Sequence, residues 1–266
     1  MLRDITLGQY FPADTVVHNL DPRTKLLLTI VYIVVLFIAD TWLSYAFMFV
    51  MLICLVLASH INLKTVLKSL KPIAMVIVFT AVLNMFFTRG EVLYKLWIIQ
   101  ITREGLILSG KMVLRLILII TGTFMLTYTT SPVALTDGME KLLNPLKKIR
   151  FPVHELSMMM SLALRFVPTL IEETNKIMSA QKARGADMDT GSIFKRARAL
   201  VPILVPLFVS AFRRSDELAE AMEARCYHGG KGRTRMKSLG MKRNDGVAFA
   251  LGAAVIAAVA FLNWQL

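Results

Sequence analysis

Two short segments share one pattern, an alanine, an arginine and a small residue, and they are the residues best suited to specific chemistry. Ala183-Arg184-Gly185 and Ala224-Arg225-Cys226 lie 41 residues apart, and each follows a predicted long helix. Arginine carries a planar fork of donors that binds carboxylates bidentately, which lysine cannot match. A cation in a last helical turn also complements the helix dipole, but that does not explain why the pattern recurs. The pair predicts two equivalent cationic tips that dock onto something acidic.

Other catalytic or metal-binding patterns are incomplete. Gly110-Lys111-Met112 lacks the rest of a phosphate-binding loop, and His154-Glu155 has no second histidine in zinc-helix spacing. Cys226 and His228 lie two apart, with no second pair to complete a metal site. We therefore predict no catalytic residues, no cofactor and no metal, and a protein that transmits work rather than performing chemistry.

Composition places the chain in a membrane. Of its 266 residues 56% are hydrophobic, and the mean hydropathy is +0.59, with the excess concentrated in runs. The net charge of +13 would suggest nucleic acid for a soluble protein. In a membrane protein the same charge reflects Lys and Arg retained on the cytoplasmic side. We expect the lipid bilayer and an acidic protein as partners, and no nucleic acid.

The apolar runs predict an all-α, multi-pass protein of the cell membrane with about five transmembrane helices and a cytoplasmic N-terminus. Asp21 and Pro22 suit the cap and first position of the first helix. The predicted spans are 26–39 and 42–58, joined by a tip near Asp40, then 72–87, 106–128 and 247–266. We expect an inside loop over 61–71 and an outer loop or interfacial segment over 89–104.

Lys111 and Arg115 lie four residues apart, on one face of the predicted fourth span. Charges inside a membrane normally face protein or water. These two residues can therefore contact a partner subunit or an internal acid, or they can snorkel from the helix end toward the outer headgroups. The sequence leaves these alternatives open.

The stretch 131–243 holds 20 Lys and Arg against 11 Asp and Glu, which is +9 of the total charge. Two long helices are predicted in it, at about 153–184 and 192–227, with a break at 185–191 and a Gly- and Lys/Arg-rich loop at 229–243. We divide the chain into an N-terminal segment with spans one to four (1–130), a cytoplasmic domain of long helices (131–243) and the last span (244–266).

The chain resembles the transmembrane T component of energy-coupling factor (ECF) transporters for vitamins and metals. The resemblance covers nearly the whole chain. It rests on Asp21-Pro22-Arg23-Thr24-Lys25 before the first span, on the hydropathy order and on the two arginine triplets. The second triplet departs from the family in carrying Cys226 where glycine is common.

The resemblance implies a non-catalytic coupling subunit. Ala183, Arg184, Gly185, Ala224, Arg225 and Cys226 would fit the grooves of two ABC-type ATPases, which hydrolyse the ATP. A substrate-binding S component would pack on the apolar surface and receive the motion for vitamin uptake. The 16 methionines, including Met158 to Met160, suit several interchangeable S components or ordinary core packing.

Other functions stay open from the sequence. A dedicated cobalt or nickel T subunit fits the same resemblance. A stand-alone secondary transporter or channel would transport without ATP, but the chain lacks two matching halves with broken helices. A membrane enzyme that binds a lipid phosphate through Lys111 and Arg115 would need a base or nucleophile beside them, and none is evident.

Overall fold

The structure is a computed structural model, and it describes residues 10–96, 99–186, 192–229 and 240–264. These residues are predominantly helical, as expected for an all-α membrane protein, with one two-stranded ribbon in addition. The helices are α1 Pro22–Ile38, α2 Trp42–Ala58, α3 Leu63–Leu70, α4 Ala74–Phe87, α5 Arg103–Thr129, α6 Pro132–Leu143, α7 Val153–Ala183, α8 Ile193–Ala224 and α9 Arg243–Trp264. The strands are β1 Val92–Leu96 and β2 Ile99–Thr102, and a 3₁₀ helix covers Asn144–Ile149.

The chain forms two compact units. The first, called here the membrane unit, comprises the described residues of 8–141 and 239–266. The second, called the helix-pair unit, comprises the described residues of 142–238 and contains α7 and α8. The predicted functional division at residues 130 and 243 stays a prediction.

The core of the membrane unit lies where α1, α2, α5 and α9 meet. Each helix contributes side chains that are almost fully buried, among them Leu36, Tyr45, Met48, Leu118, Tyr128 and Val259. Large apolar side chains also point outward, such as Met75 and Phe87 of α4, which are 83% and 81% exposed. Apolar residues on both the core and the outer face are typical of helices whose surroundings are lipid.

Two of the described helices, α5 and α9, are long and apolar enough to cross a membrane. The pair α3 and α4 qualifies as a third span only when taken together, with a bend of 60° between them. α2 is apolar but has 17 residues, and α1 has 17 as well. The predicted number of five spans therefore stays a prediction.

The prediction of a loop over 61–71 was wrong, because α3 occupies most of it. Asn62 caps this helix, its side-chain oxygen accepting from the Lys64 backbone N–H at 3.0 Å. Lys64 and Lys68 lie four apart, and Val66 is buried on another side. The segment is an amphipathic helix, with lysines on one face and apolar residues on another. Its short length and its lysines made it resemble a loop in the sequence.

The segment between α4 and α5 is a β-hairpin in which β1 and β2 pair antiparallel. Its base is closed by the Arg103 N–H, which donates to the Glu91 carbonyl at 2.9 Å, and by the Glu104 carboxylate, which accepts from the Glu91 N–H at 2.8 Å. The sequence suggested an outer loop or an interfacial segment here. Trp97 and Ile98, at the turn of this hairpin in the sequence, lie outside the described residues.

Candidate functional site: two arginine-bearing helix ends

The first arginine triplet is the C-terminal cap of α7. Gly185 has a left-handed φ of 83°. Its N–H donates to the Lys182 carbonyl, and the Ala186 N–H donates to the Gln181 carbonyl, both at 3.0 Å. These two bonds define a Schellman motif, which satisfies the last carbonyls of a helix and places a left-handed residue one position past the cap. Arg184 is the cap residue itself.

The second triplet repeats this geometry at the end of α8. The Cys226 N–H donates to the Glu223 carbonyl at 2.8 Å, and the Tyr227 N–H donates to the Met222 carbonyl at 3.0 Å. Cys226 has a φ of 56°, so it occupies the position that Gly185 holds in α7. Arg225 is again the cap residue. The backbone therefore favours glycine as the third residue of the pattern, and Cys226 adopts the same conformation with strain that glycine avoids.

Both arginines are available to a partner. Arg184 and Arg225 are exposed, as are the residues on each side of them. Within the part of the chain that the structure describes, neither guanidinium forms a side-chain hydrogen bond or an ion pair. Each guanidinium lies beside the negative end of a helix dipole, an arrangement that a cation stabilises.

Polar contacts at mid-length join α7 to α8. Glu173 accepts a short hydrogen bond from the Ser210 hydroxyl and pairs with the Arg214 guanidinium at 3.2 Å. Arg214 also lies over the Phe166 ring, 5.8 Å from its centroid. Glu173 thus binds two residues that are one turn apart on α8, which fixes the register of the pair.

Contacts near both ends show that the two helices run antiparallel. Near the end of α7, the Gln181 amide donates to the Pro202 carbonyl, close to the start of α8, at 3.4 Å. At the other end, the Tyr227 hydroxyl donates to Met158 Sδ at 3.1 Å and lies 3.5 Å from His154 Nε2. Arg184 and Arg225 therefore lie at opposite ends of the pair. A helix of 31 residues is about 45 Å long, which sets the scale of their separation.

The segment Asp21 to Lys25 has a separate role in the membrane unit. The Asp21 carboxylate accepts from the Arg23 N–H at 3.0 Å and so caps α1. The Lys25 ammonium donates to the carbonyls of His18 and Thr129 at 3.0 and 2.8 Å. Lys25 thereby ties the start of α1 to the end of α5 and to the preceding segment.

Asp245 of α9 completes this cluster, and sequence reasoning missed it. It is 1% exposed, and its carboxylate accepts from the Asp21 N–H at 2.8 Å and from the Lys242 N–H at 2.7 Å. An acid in the first turn of an apolar helix was the available signal, because such acids cap free N–H groups. Its contact with the Asp21 N–H, 224 residues away in the chain, could not be predicted from the sequence.

The structure places Lys111 and Arg115 against groups of this chain. Lys111 forms an ion pair with Asp40 in the turn between α1 and α2, at 3.2 Å. Arg115 donates to the Ala39 carbonyl at 3.0 Å and lies over the rings of Phe37 and Tyr45. Both cations therefore contact groups of this chain, and the acid that Lys111 contacts is Asp40. A contact of either cation with a partner subunit stays a prediction.

Asn263, near the end of α9, binds the same turn. Its amide donates to the Ile38 carbonyl at 2.8 Å, and its oxygen accepts from the Ser44 hydroxyl at 2.9 Å. Polar contacts thus hold α1 at both of its ends, through Asp245 at one and Asn263 at the other.

Among the described residues, no group of three or more His, Cys, Asp and Glu side chains is placed to hold a metal ion. Cys226 is exposed as a free thiol, and His228 is exposed beyond it. The expectation of a chain without metal or cofactor stays a prediction. Most of the predicted break at 185–191, including Asp187 and Asp189, lies outside the described residues, as does most of the basic loop at 229–243.

The fold and the site define a class, helical membrane proteins that carry a pair of long helices with matching arginine caps. Residues 13–236 match the family model described as "Cobalt transport protein". A relative from Thermosediminibacter oceani, named "Energy-coupling factor transporter transmembrane protein EcfT", is 54% identical over 93% of this chain and 94% of its own length. Relatives of the same name from Clostridium kluyveri and Lactococcus lactis are 52% and 43% identical over at least 98% of each chain. The chain belongs to the family of energy-coupling factor transporter transmembrane proteins, the T components of these transporters.

Proposed function

We propose that this chain is the coupling subunit of an ECF importer, which transmits the ATP-driven motion of two ABC-type ATPases to a substrate-binding S component. The chain itself is not catalytic, and ATP hydrolysis belongs to the partners. It lies in the cell membrane as a multi-pass protein with a cytoplasmic N-terminus. The imported solutes are vitamins or similar micronutrients.

One observation carries the proposal, the repetition of an exposed arginine cap at opposite ends of one antiparallel helix pair. Two ABC-type ATPases present two grooves, so a subunit that couples to both needs two comparable contacts. Arg184 and Arg225 have the same backbone geometry, the same exposure and the same dipole environment. The Glu173 contacts to Ser210 and Arg214 join the two helices at mid-length, so a displacement of one helix end acts on the other helix as well.

The test reverses both charges and measures assembly and uptake. R184E/R225E should lose ATPase association and solute uptake together, because loss of a buried, hydrogen-bonded charge contact costs about 2–5 kcal/mol at each site. R184K/R225K should retain part of the association, because lysine keeps the charge without the planar fork. Arg213→Glu is the matched control, since Arg213 is also exposed and lies on α8 away from its end. Normal uptake by R184E/R225E would refute the proposal.

An apolar stripe on α8 supports the S component as the second partner. Phe208 and Phe212 lie four residues apart and are 61% and 69% exposed, and Leu200, Val201, Leu204, Val205 and Val209 continue the stripe. Exposed apolar patches of this size mark interaction surfaces. Phe208→Glu should reduce S-component binding and leave ATPase association unchanged. Loss of both would indicate that the helix pair had misfolded.

A second candidate is a T component dedicated to cobalt or nickel, and the match to the cobalt transport protein family favours it. The two candidates differ in the number of S components bound. Purification of the complex from its native membrane, with mass identification of bound subunits, separates them. Several different S components indicate a shared T component, and a single metal-specific one indicates a dedicated system.

A further inference from the structure

The membrane unit contains an apolar cleft of about 460 Å³ between α1, α2, α5, α9 and the segment that precedes α1. That volume is typical of a ligand pocket. The cleft opens along α9, where Val247 and Leu251 line it and are 55% and 62% exposed. It is therefore accessible from the surroundings of the membrane unit.

The walls of the cleft leave few polar groups for water. The Thr29 hydroxyl donates to the Lys25 carbonyl at 2.8 Å, and the Tyr32 hydroxyl donates to the Leu118 carbonyl at 3.1 Å. A water in a cavity needs two to four polar partners, and an empty cleft would forfeit dispersion contacts along its lining. In a bilayer, an apolar chain fills such a space.

The depth of the cleft matches one leaflet. Its lining runs along α1 from Lys25 to Val35 and along α9 from Asn244 to Val255. At about 1.5 Å per residue, both stretches are about 15 Å long. The hydrocarbon core of a bilayer is about 30 Å thick, so the cleft extends over about half of it.

The polar end of the cleft is positively charged. Lys25, Thr129 and Asn244 line that end. Lys242 and Arg243 immediately precede Asn244 and are exposed. The buried Asp245 carboxylate interacts with Lys25 and offsets its charge, so the excess positive charge at this end comes from Lys242 and Arg243. Two exposed cations beside an apolar slot are suited to a negatively charged headgroup.

We propose that this cleft is a binding site for one anionic phospholipid, with an acyl chain between α1, α2 and α9 and its phosphate beside Lys242 and Arg243. The acyl chain gains little from leaving the bilayer, because lipid is already apolar. Selectivity therefore comes from the headgroup. The site belongs to the membrane unit and is independent of the arginine caps.

The first experiment maps the acyl chain. The purified full-length chain in nanodiscs is photolabelled with phosphatidylglycerol or phosphatidylcholine that carries a diazirine on the same acyl chain, and the labelled peptides are identified by mass spectrometry. Label from phosphatidylglycerol should fall on the cleft-lining residues of α2 and α9. Ala248→Phe fills the cleft and should reduce that label at least about tenfold. Ala250→Phe is the control, because Ala250 is exposed on α9 and is not part of the cleft.

The second experiment tests the headgroup with surface changes that leave the core intact. K242Q/R243Q should reduce the preference for phosphatidylglycerol over phosphatidylcholine by roughly fivefold per charge removed. K147Q/K148Q changes an equally exposed basic pair in the helix-pair unit and should leave the preference unchanged. Equal labelling by both lipids in the unchanged protein, or equal labelling of A248F and A250F, would overturn the proposal.

Discussion

The left-handed positions in the two arginine caps give the sharpest prediction, because the caps differ at one residue. Glycine adopts a φ of 83° without steric cost, whereas an L residue such as Cys226 at 56° is strained by about 1–2 kcal/mol. Cys226→Gly should therefore stabilise the α8 cap by about 1 kcal/mol, allowing for the greater unfolded-state entropy of glycine. Gly185→Ala should destabilise the α7 cap by about the same amount.

The environment of Gly185 makes this a test of the backbone alone. A Cβ built on Gly185 meets nothing within 4 Å, so alanine there causes no clash. A Cβ on Gly246, inside α9, also meets nothing within 4 Å, and the φ of Gly246 is not left-handed. Gly246→Ala is therefore the matched control and should not weaken either cap.

The assay is hydrogen–deuterium exchange of the peptides that span each cap, read by mass spectrometry. The amide protons of Cys226 and Tyr227 are donors in the cap, so they exchange when the cap opens. A change of about 1 kcal/mol corresponds to roughly a fivefold change in exchange rate. Slower exchange in C226G and faster exchange in G185A are expected. Equal exchange in G185A and the unchanged protein would refute the assignment of strain to φ.

Three further predictions concern the membrane unit. Asp245→Ala should destabilise the protein by about 3 kcal/mol in thermal unfolding in detergent, because the buried Asp21 N–H and the part-buried Lys242 N–H lose a charged acceptor. The exposed Asp14→Ala is the control, and equal losses in both would contradict the assigned role. Lys111→Met should change the free energy of unfolding by less than about 0.5 kcal/mol, because exposed ion pairs contribute little to stability and the Asp40 side chain is 82% exposed. A loss above about 2 kcal/mol would contradict this reasoning. Burial, followed by the charge of Lys25, lowers the pKa of His18 in the folded protein. As the pH falls below 6.5, His18 of the unfolded chain therefore binds a proton more readily than His18 of the folded chain. Stability should therefore decline from pH 7.5 toward pH 5.5, and His18→Gln should reduce that decline; an identical pH profile for both proteins would exclude His18 as its source.

Much of the membrane unit could be predicted from local pattern. Runs of apolar residues located α1, α2, α4, α5 and α9, because the requirement to bury backbone polar groups in lipid leaves a helix as the local solution. The prediction of a loop at 61–71 was wrong for a local reason too, since Lys64 and Lys68 are spaced to share one face of α3. The β-hairpin could not be anticipated, because its pairing depends on residues on both sides of a turn.

The arginine caps were found from sequence because a Schellman motif is local. Its donors and acceptors lie within six consecutive residues, so a short sequence pattern such as Ala-Arg-small can mark the helix end. The backbone strain at Cys226 could not be predicted, because the residue type alone does not determine φ.

The sequence by itself determined that this is a helical membrane protein with two arginine-ended long helices, since composition, periodicity and helix capping act over a few residues. Only the tertiary structure decided what the charges do. It paired Lys111 with Asp40, placed Asp245 on the start of α1 and set Arg184 and Arg225 at opposite ends of one helix pair. Those outcomes depend on which distant groups packing brings within about 3 Å, and a buried polar group takes whichever partner that packing provides.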